Sequence, residues 1–160
     1  MANTTDGKII QESDGTLTLT YFLQSDGESG ELVNAPVIAA SECTPPLGAG
    51  MFLSIYEIWF QCNNCSLIFS WKTLTVPVPF WILAPGVDSR QKFHRFGGLI
   101  DASGLYAQGQ LLMTTQGFIA TTANISFVLR MRKHSGQTPQ YKQVGQPQGQ
   151  PPYETYALAP

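Results

Sequence analysis

Residues 51–83 read MFLSIYEIWFQCNNCSLIFSWKTLTVPVPFWIL, and their pattern decides the fold. Successive side chains of a strand point to opposite faces. Ser54, Tyr56, Ile58 and Phe60 alternate with Leu53, Ile55, Glu57 and Trp59, so both faces of the first strand read as largely apolar. Asn63-Asn64 is a two-residue turn signal, because Asn tolerates the positive φ of a type I′ hairpin. Leu67, Phe69 and Trp71 then share one face of the return strand, and Val76, Val78, Phe80 and Ile82 one face of the next. Glu57 and Lys72 are the charged residues of the whole stretch. A meander this apolar needs cover on both sides, from a second sheet or from another subunit.

The rest of the chain supports an all-β reading. At 160 residues it holds one domain, or one domain and a tail. Charged residues make up 12%, about half the usual share of roughly 25%, while 15 Gly and 11 Pro supply many turns. Thr16–Leu23 alternates Thr with apolar residues and reads as a half-buried strand. Short strands are expected over Glu31–Ala39, Phe93–Phe96 and Gln108–Thr115. Asn124–Lys133 reads as an amphipathic strand, with Ile125, Phe127, Leu129 and Met131 inward and Asn124, Ser126, Arg130 and Arg132 outward. Seven or eight strands at short spacing predict a β-sandwich, with a jelly roll as the expected version and extended terminal arms. The expected division is an N-terminal extended segment over 1–15, the sandwich over 16–133, and a C-terminal arm over 134–160.

That arm has six Gln, five Pro and three Gly in 27 residues. Such a segment buries too little apolar surface to offset its ordering entropy, and it needs a surface to lie on. Tyr141, Tyr153, Tyr156 and Leu158 are the natural anchors on a neighbouring molecule, with Arg130, Arg132 and Lys133 just ahead of them as further partner contacts. The other reading folds the arm back on its own domain.

Charge is unevenly placed. Asp6, Glu12, Asp14, Asp26, Glu28, Glu31 and Glu42 stand against Lys8 in the first 42 residues, while Arg90, Lys92, Arg95, Arg130, Arg132 and Lys133 lie in the second half. This describes either a solvated surface of two signs or a head-to-tail contact between copies. The net charge of −2 gives no global attraction to nucleic acid or to an anionic membrane, so neither is expected as a partner. Arg90–Phe96 interleaves basic and aromatic residues, as surfaces for single strands do, but no second basic run is adjacent in sequence. The opening MANTTDGKII has no signal-peptide pattern, and Pro77 and Pro79 interrupt the best apolar run, so synthesis in the cytoplasm is expected.

Catalytic, cofactor and metal sites are not expected. Cys62-Asn63-Asn64-Cys65 is a lone CxxC; a structural zinc needs four ligands, and Cys43, His94 and His134 are scattered. Placed on a turn, it is first a structural hairpin with free thiols, then a disulfide site, then a metal site. No nucleophile elbow, P-loop or GxGxxG is present, and Glu57 has no carboxylate partner in sequence.

The order of motifs resembles small virion proteins of tailed bacteriophages, of the cyanophage type. The segments that carry it are YEIWFQCNNCSLIFSW (56–71), the V-x-V-x-F-W-I-L-A-P strand (76–85), FHRFGGLIDASGLYAQGQLLMTTQGF (93–118) and ANISFVLRMRK (123–133). The matching stretch runs from about Ile55 to Lys133, about half of the chain, and Gly109-Gln110 departs from the Gly-Asp usual there. The resemblance implies a non-enzymatic structural protein of the virion, made in the host cytoplasm. It further implies a capsid decoration (cement) protein, with the major capsid protein or other virion proteins as partners and a homo-oligomer expected. It brings no catalytic residues. The alternatives are a tail or neck adaptor, or a fibre-associated glycan-binding sandwich in which Trp59, Trp71 and Trp81 meet sugars.

Overall fold

The computed structural model describes residues 2–39, 42–44, 52–73, 75–86, 89–100 and 110–134. It is all-β, with two antiparallel sheets packed face to face. Strands are β1 (Thr4–Glu12), β2 (Thr16–Gln24), β3 (Ala35–Ile38), β4 (Phe52–Asn63), β5 (Ser66–Trp71), β6 (Val78–Leu83), β7 (Arg90–Lys92), β8 (Leu99–Ile100), β9 (Leu111–Gln116) and β10 (Asn124–His134). The six-stranded sheet runs β1-β2-β10-β4-β7, with β8 also on β4, and the four-stranded sheet runs β3-β9-β5-β6.

The core lies between them. Leu17, Leu19 and Leu23 of β2, Ile55 and Ile58 of β4, and Ile125, Phe127, Leu129 and Met131 of β10 face Leu67, Phe69 and Trp71 of β5 and Leu111 and Met113 of β9. The alternation expected for β10 is thus the observed one. Phe69 meets Phe127 edge-on across the layers, 5.3 Å between centroids at 89°. Such a contact adds about 0.5–1.5 kcal/mol beyond the area it buries.

The decisive stretch differs from its expected form in two ways. First, Asn63-Asn64 is not a hairpin turn: β4 belongs to the six-stranded sheet and β5 to the four-stranded one, so the chain turns a corner between layers. A type I′ turn needs positive φ at both central residues, and here only Asn64 has it, at 56°. Asn63 instead gives its side-chain N–H to Asn124 at 2.7 Å. Second, the simple alternation of β4 breaks. Its register with β10 shifts so that Arg130 opposes Glu57 and Met131 opposes Ile55. Tyr56 is the extra residue, a bulge that leaves Ile55 and Ile58 inward and sets both Tyr56 and Glu57 on the outer side. The carbonyl that the bulge releases accepts Phe93 N–H at 2.8 Å.

Strand β6 departs as well. A register shift between Phe69 and Ser70 pairs them with Trp81 and Pro79. Leu83 is buried, while Val76, Val78 and Ile82 are exposed rather than lining a packed face. Pro79 cannot donate to a ladder, which suits β6 to the sheet edge it occupies. The segment 1–15, expected as an extended segment outside the sandwich, contributes β1, which pairs with β2 from Leu17 to Gln24. Its residues are exposed on both faces, so no apolar alternation marks it in the sequence. The strand expected at 93–96 is instead a 3-10 turn over His94–Phe96, between β7 and β8. The strand expected over 31–39 is confined to Ala35–Ile38.

Candidate interaction face

Among the described residues, the β-bulge of β4 builds a distinctive surface. Strands β10 and β7 flank β4, pairing Arg130 with Glu57 on one side and Lys92 with Glu57 on the other. Three segments far apart in sequence thereby present Tyr56, Glu57, Trp59, Arg90, Lys92, Arg130 and Arg132 on the outer side of one sheet. The sequence places no second basic run beside Arg90–Phe96; the sheet brings one onto the same face, with Arg130 across Glu57 from Arg90 and Lys92 and Arg132 further along β10.

Glu57 holds the arrangement together. It is 1% exposed. Its Oε1 accepts from Arg90 Nε at 2.8 Å and its Oε2 from Arg130 Nη1 at 3.2 Å. Burial pushes this carboxyl up, but the hydrogen bonds from Arg90 and Arg130, with the charges of Arg90 and Lys92, win and hold it below the ordinary carboxylate range. The guanidinium groups lie against rings: Arg90 is 5.1 Å from the centroid of Trp59, Arg130 lies 5.6 Å from Trp59 and 5.8 Å from Tyr56, and Arg132 is 5.4 Å from Tyr56. The result is a ladder in which arginines and aromatic rings alternate. Its cations remain reachable, with Arg90 and Arg130 side chains 49% and 41% exposed. Arg90, Arg130 and Lys92 act on one buried carboxylate and Arg132 stands over Tyr56 beyond them, so the face is basic on a protein of net charge −2.

A shallow depression of about 710 Å³ adjoins the ladder on the same face. Trp59, Gln61, Thr20 and Ser126 are among the residues that line it, together with Ala84, Pro85 and Gly86. At the lower end of β10 the His134 ring stacks on Phe52 at 4.5 Å and its Nε2 meets Ser54 Oγ at 2.7 Å. Burial, with help from Arg132, lowers the basicity of His134.

The residues expected to contact a partner divide three ways. Arg130 and Arg132 belong to the ladder. Lys133 turns away: its Nζ bonds Glu12 Oε1 at 2.6 Å and the Thr44 carbonyl at 2.8 Å, and its side chain is 2% exposed. It therefore ties β10 to the end of β1 and is not a surface contact. Tyr141, Tyr153, Tyr156 and Leu158, with the arm that carries them, lie outside the described residues. The three tryptophans also separate, since Trp71 is in the core, Trp81 is half-buried with its Nε1 on Gln91, and Trp59 is on the outer face.

Among the described residues no three His, Cys, Asp or Glu side chains converge as metal ligands. Cys62 and Cys65 are free and buried at the inter-sheet corner. Burial, reinforced by Cys65, pushes the Cys62 thiol up to about 12. Asp26 is held down to about 2 by Ser29 and by the backbone of its own loop. Glu31 is occupied within the fold, accepting from Thr115 Oγ1 and from the N–H groups of Gly117 and Phe118. No protein-family profile matches the chain, and no curated protein matches it in sequence.

Proposed function

We propose that the protein is a non-enzymatic structural subunit of a tailed-bacteriophage particle, most specifically a capsid decoration protein that binds the assembled head. The observation that carries this reading is the arginine–aromatic ladder on the outer face of the six-stranded sheet. Its groups are held by the sheets before any partner arrives, so docking costs little side-chain ordering. Arg, Tyr and Trp are the residues that concentrate binding energy at protein interfaces. A basic face of this kind fits an acidic surface of a major capsid protein. The strand order β2-β10-β4-β7 against β3-β9-β5-β6 supports the jelly-roll version of the sandwich, an architecture common in viral capsid and lectin domains. The motif resemblance over 55–133 points the same way.

The test is binding of the purified protein to heads lacking it, followed by cryo-electron microscopy. Saturable, symmetric density with the β10–β4–β7 face against the shell supports decoration. Absence of binding to heads, with binding to necks or tails, replaces it by the adaptor reading. A fibre-associated glycan-binding role is the second reading, favoured by the half-buried Trp59 beside Gln61, Ser126 and Thr20 in the depression. A glycan array distinguishes it.

A further inference from the structure

Strand β1 ends the six-stranded sheet, and among the described residues its outer edge pairs with nothing. Eight of its nine residues are exposed. An edge of this length is a ready template for another strand unless something blocks it. It is also firmly held. It pairs with β2 from Thr4 to Glu12, and just before it the Asn3 side chain donates to the Gly30 carbonyl and accepts from Asp26 N–H. The Tyr21 ring covers Gly7 so closely that a Cβ there would lie 2.2 Å from it.

The sequence of this edge is self-complementary. Asp6 and Lys8 flank Gly7, and the regular pairing runs from Thr4 up to the register shift between Ile9 and Gln11. We propose that β1 pairs antiparallel with β1 of a second copy about a twofold axis at Gly7. In that register Asp6 faces the partner's Lys8, Lys8 faces the partner's Asp6, and Thr5 faces the partner's Ile9. Residues two apart share a face of the sheet, so the four charges gather on one side with opposite signs opposed. A slip by one residue leaves both charges without a cross-strand counter-charge. A slip by two sets Asp6 against the partner's Asp6, or Lys8 against the partner's Lys8. Electrostatics therefore selects the centred register.

The free chain has little to lose. Its own Asp6–Lys8 contact is 3.4 Å long, with the Lys8 and Asp6 side chains 68% and 58% exposed. On the inner side, Ile9 borders an open cleft of about 490 Å³ between β1 and β3. Ile9 and Ile10 are 41% and 58% exposed in the single chain, and strand addition covers them. The six-stranded sheets of two copies then join into one.

Sedimentation velocity of the full chain across a concentration series tests the proposal, with circular dichroism on every variant. The wild-type chain is expected to dimerise. Asp6→Lys opposes lysine to lysine at both pairs and is expected to weaken association roughly 10- to 100-fold. The double reversal Asp6→Lys with Lys8→Asp restores complementarity and the dimer. As a second arm, Thr5→Cys with Ile9→Cys is expected to give an intermolecular disulfide on mild oxidation. A monomer at every concentration, a dimer indifferent to Asp6→Lys, a double reversal that fails to recover, or the absence of the disulfide overturns it.

Discussion

Replacing Glu57 by Gln tests whether one buried carboxylate organises the arginine–aromatic face. The substitution keeps the volume and removes the charge between Arg90 and Arg130, whose nitrogens sit 2.8 and 3.2 Å away. The new amide can accept from one arginine, but its N–H₂ then confronts the other. Breaking a fully buried ion pair costs about 3–5 kcal/mol, because the surviving charge is stranded. Here both guanidinium groups are nearly half exposed and water takes over part of their solvation. An exposed pair contributes only about 0–1 kcal/mol. The expected loss lies between these limits, about 2 kcal/mol, or a fall in Tm of roughly 4–8 °C. Urea unfolding with an unchanged m-value measures it. The effect also has a pH signature. The carboxyl is held below its ordinary value in the fold, so its contribution is present above the unfolded value of about 4.3 and fades as pH falls through the folded one. The difference between wild type and Glu57→Gln must shrink on acidification. A loss under about 0.5 kcal/mol at pH 7, or a difference that grows in acid, refutes the reasoning.

Three further outcomes follow from the same geometry. The basicity of His134 is lowered by burial in the fold, so protonation favours the unfolded chain; stability is full above the unfolded value of about 6.5 and declines as pH drops below it, and His134→Phe should flatten that decline in urea midpoints between pH 7.5 and 5.5. Arg132→Ala and Lys92→Ala should leave the fold intact while slowing association with the proposed partner and reducing its salt dependence, measured by surface plasmon resonance at two ionic strengths. The Cys62 and Cys65 thiols, buried and kept protonated, should react with a thiol reagent at neutral pH only on unfolding, and rapid labelling of the native chain would contradict their placement.

The all-β class was legible because alternation is a local property. The inward set of β10, Ile125 to Met131, follows from a period of two with no knowledge of what it packs on. The core side of β2 follows the same way. Where an edge strand is bathed in water on both faces, as β1 is, no apolar pattern exists to read. The register of β4 was hidden for a different reason. A bulge at Tyr56 is set by how β10 and β4 fit together, and it reverses which residues of the first half of the strand face the core. The turn at Asn63-Asn64 was visible as a turn, but the choice between a hairpin and a corner between sheets belongs to the partners of both strands.

The sequence by itself determined that this chain makes sheets, where most of them lie, and that its ionic groups are few. Those are consequences of side-chain period, turn chemistry and composition, each carried by neighbours along the chain. Only the tertiary structure decided that Glu57, solitary in the sequence, sits between Arg90 and Arg130, and that Tyr56 and Trp59 complete a ladder with Arg132. It also sent Lys133 inward to Glu12 while its neighbour Arg132 stayed outside. Pairing between strands distant in sequence sets these contacts, because in a sheet the neighbours of a side chain are chosen by register across strands and not by order along the chain.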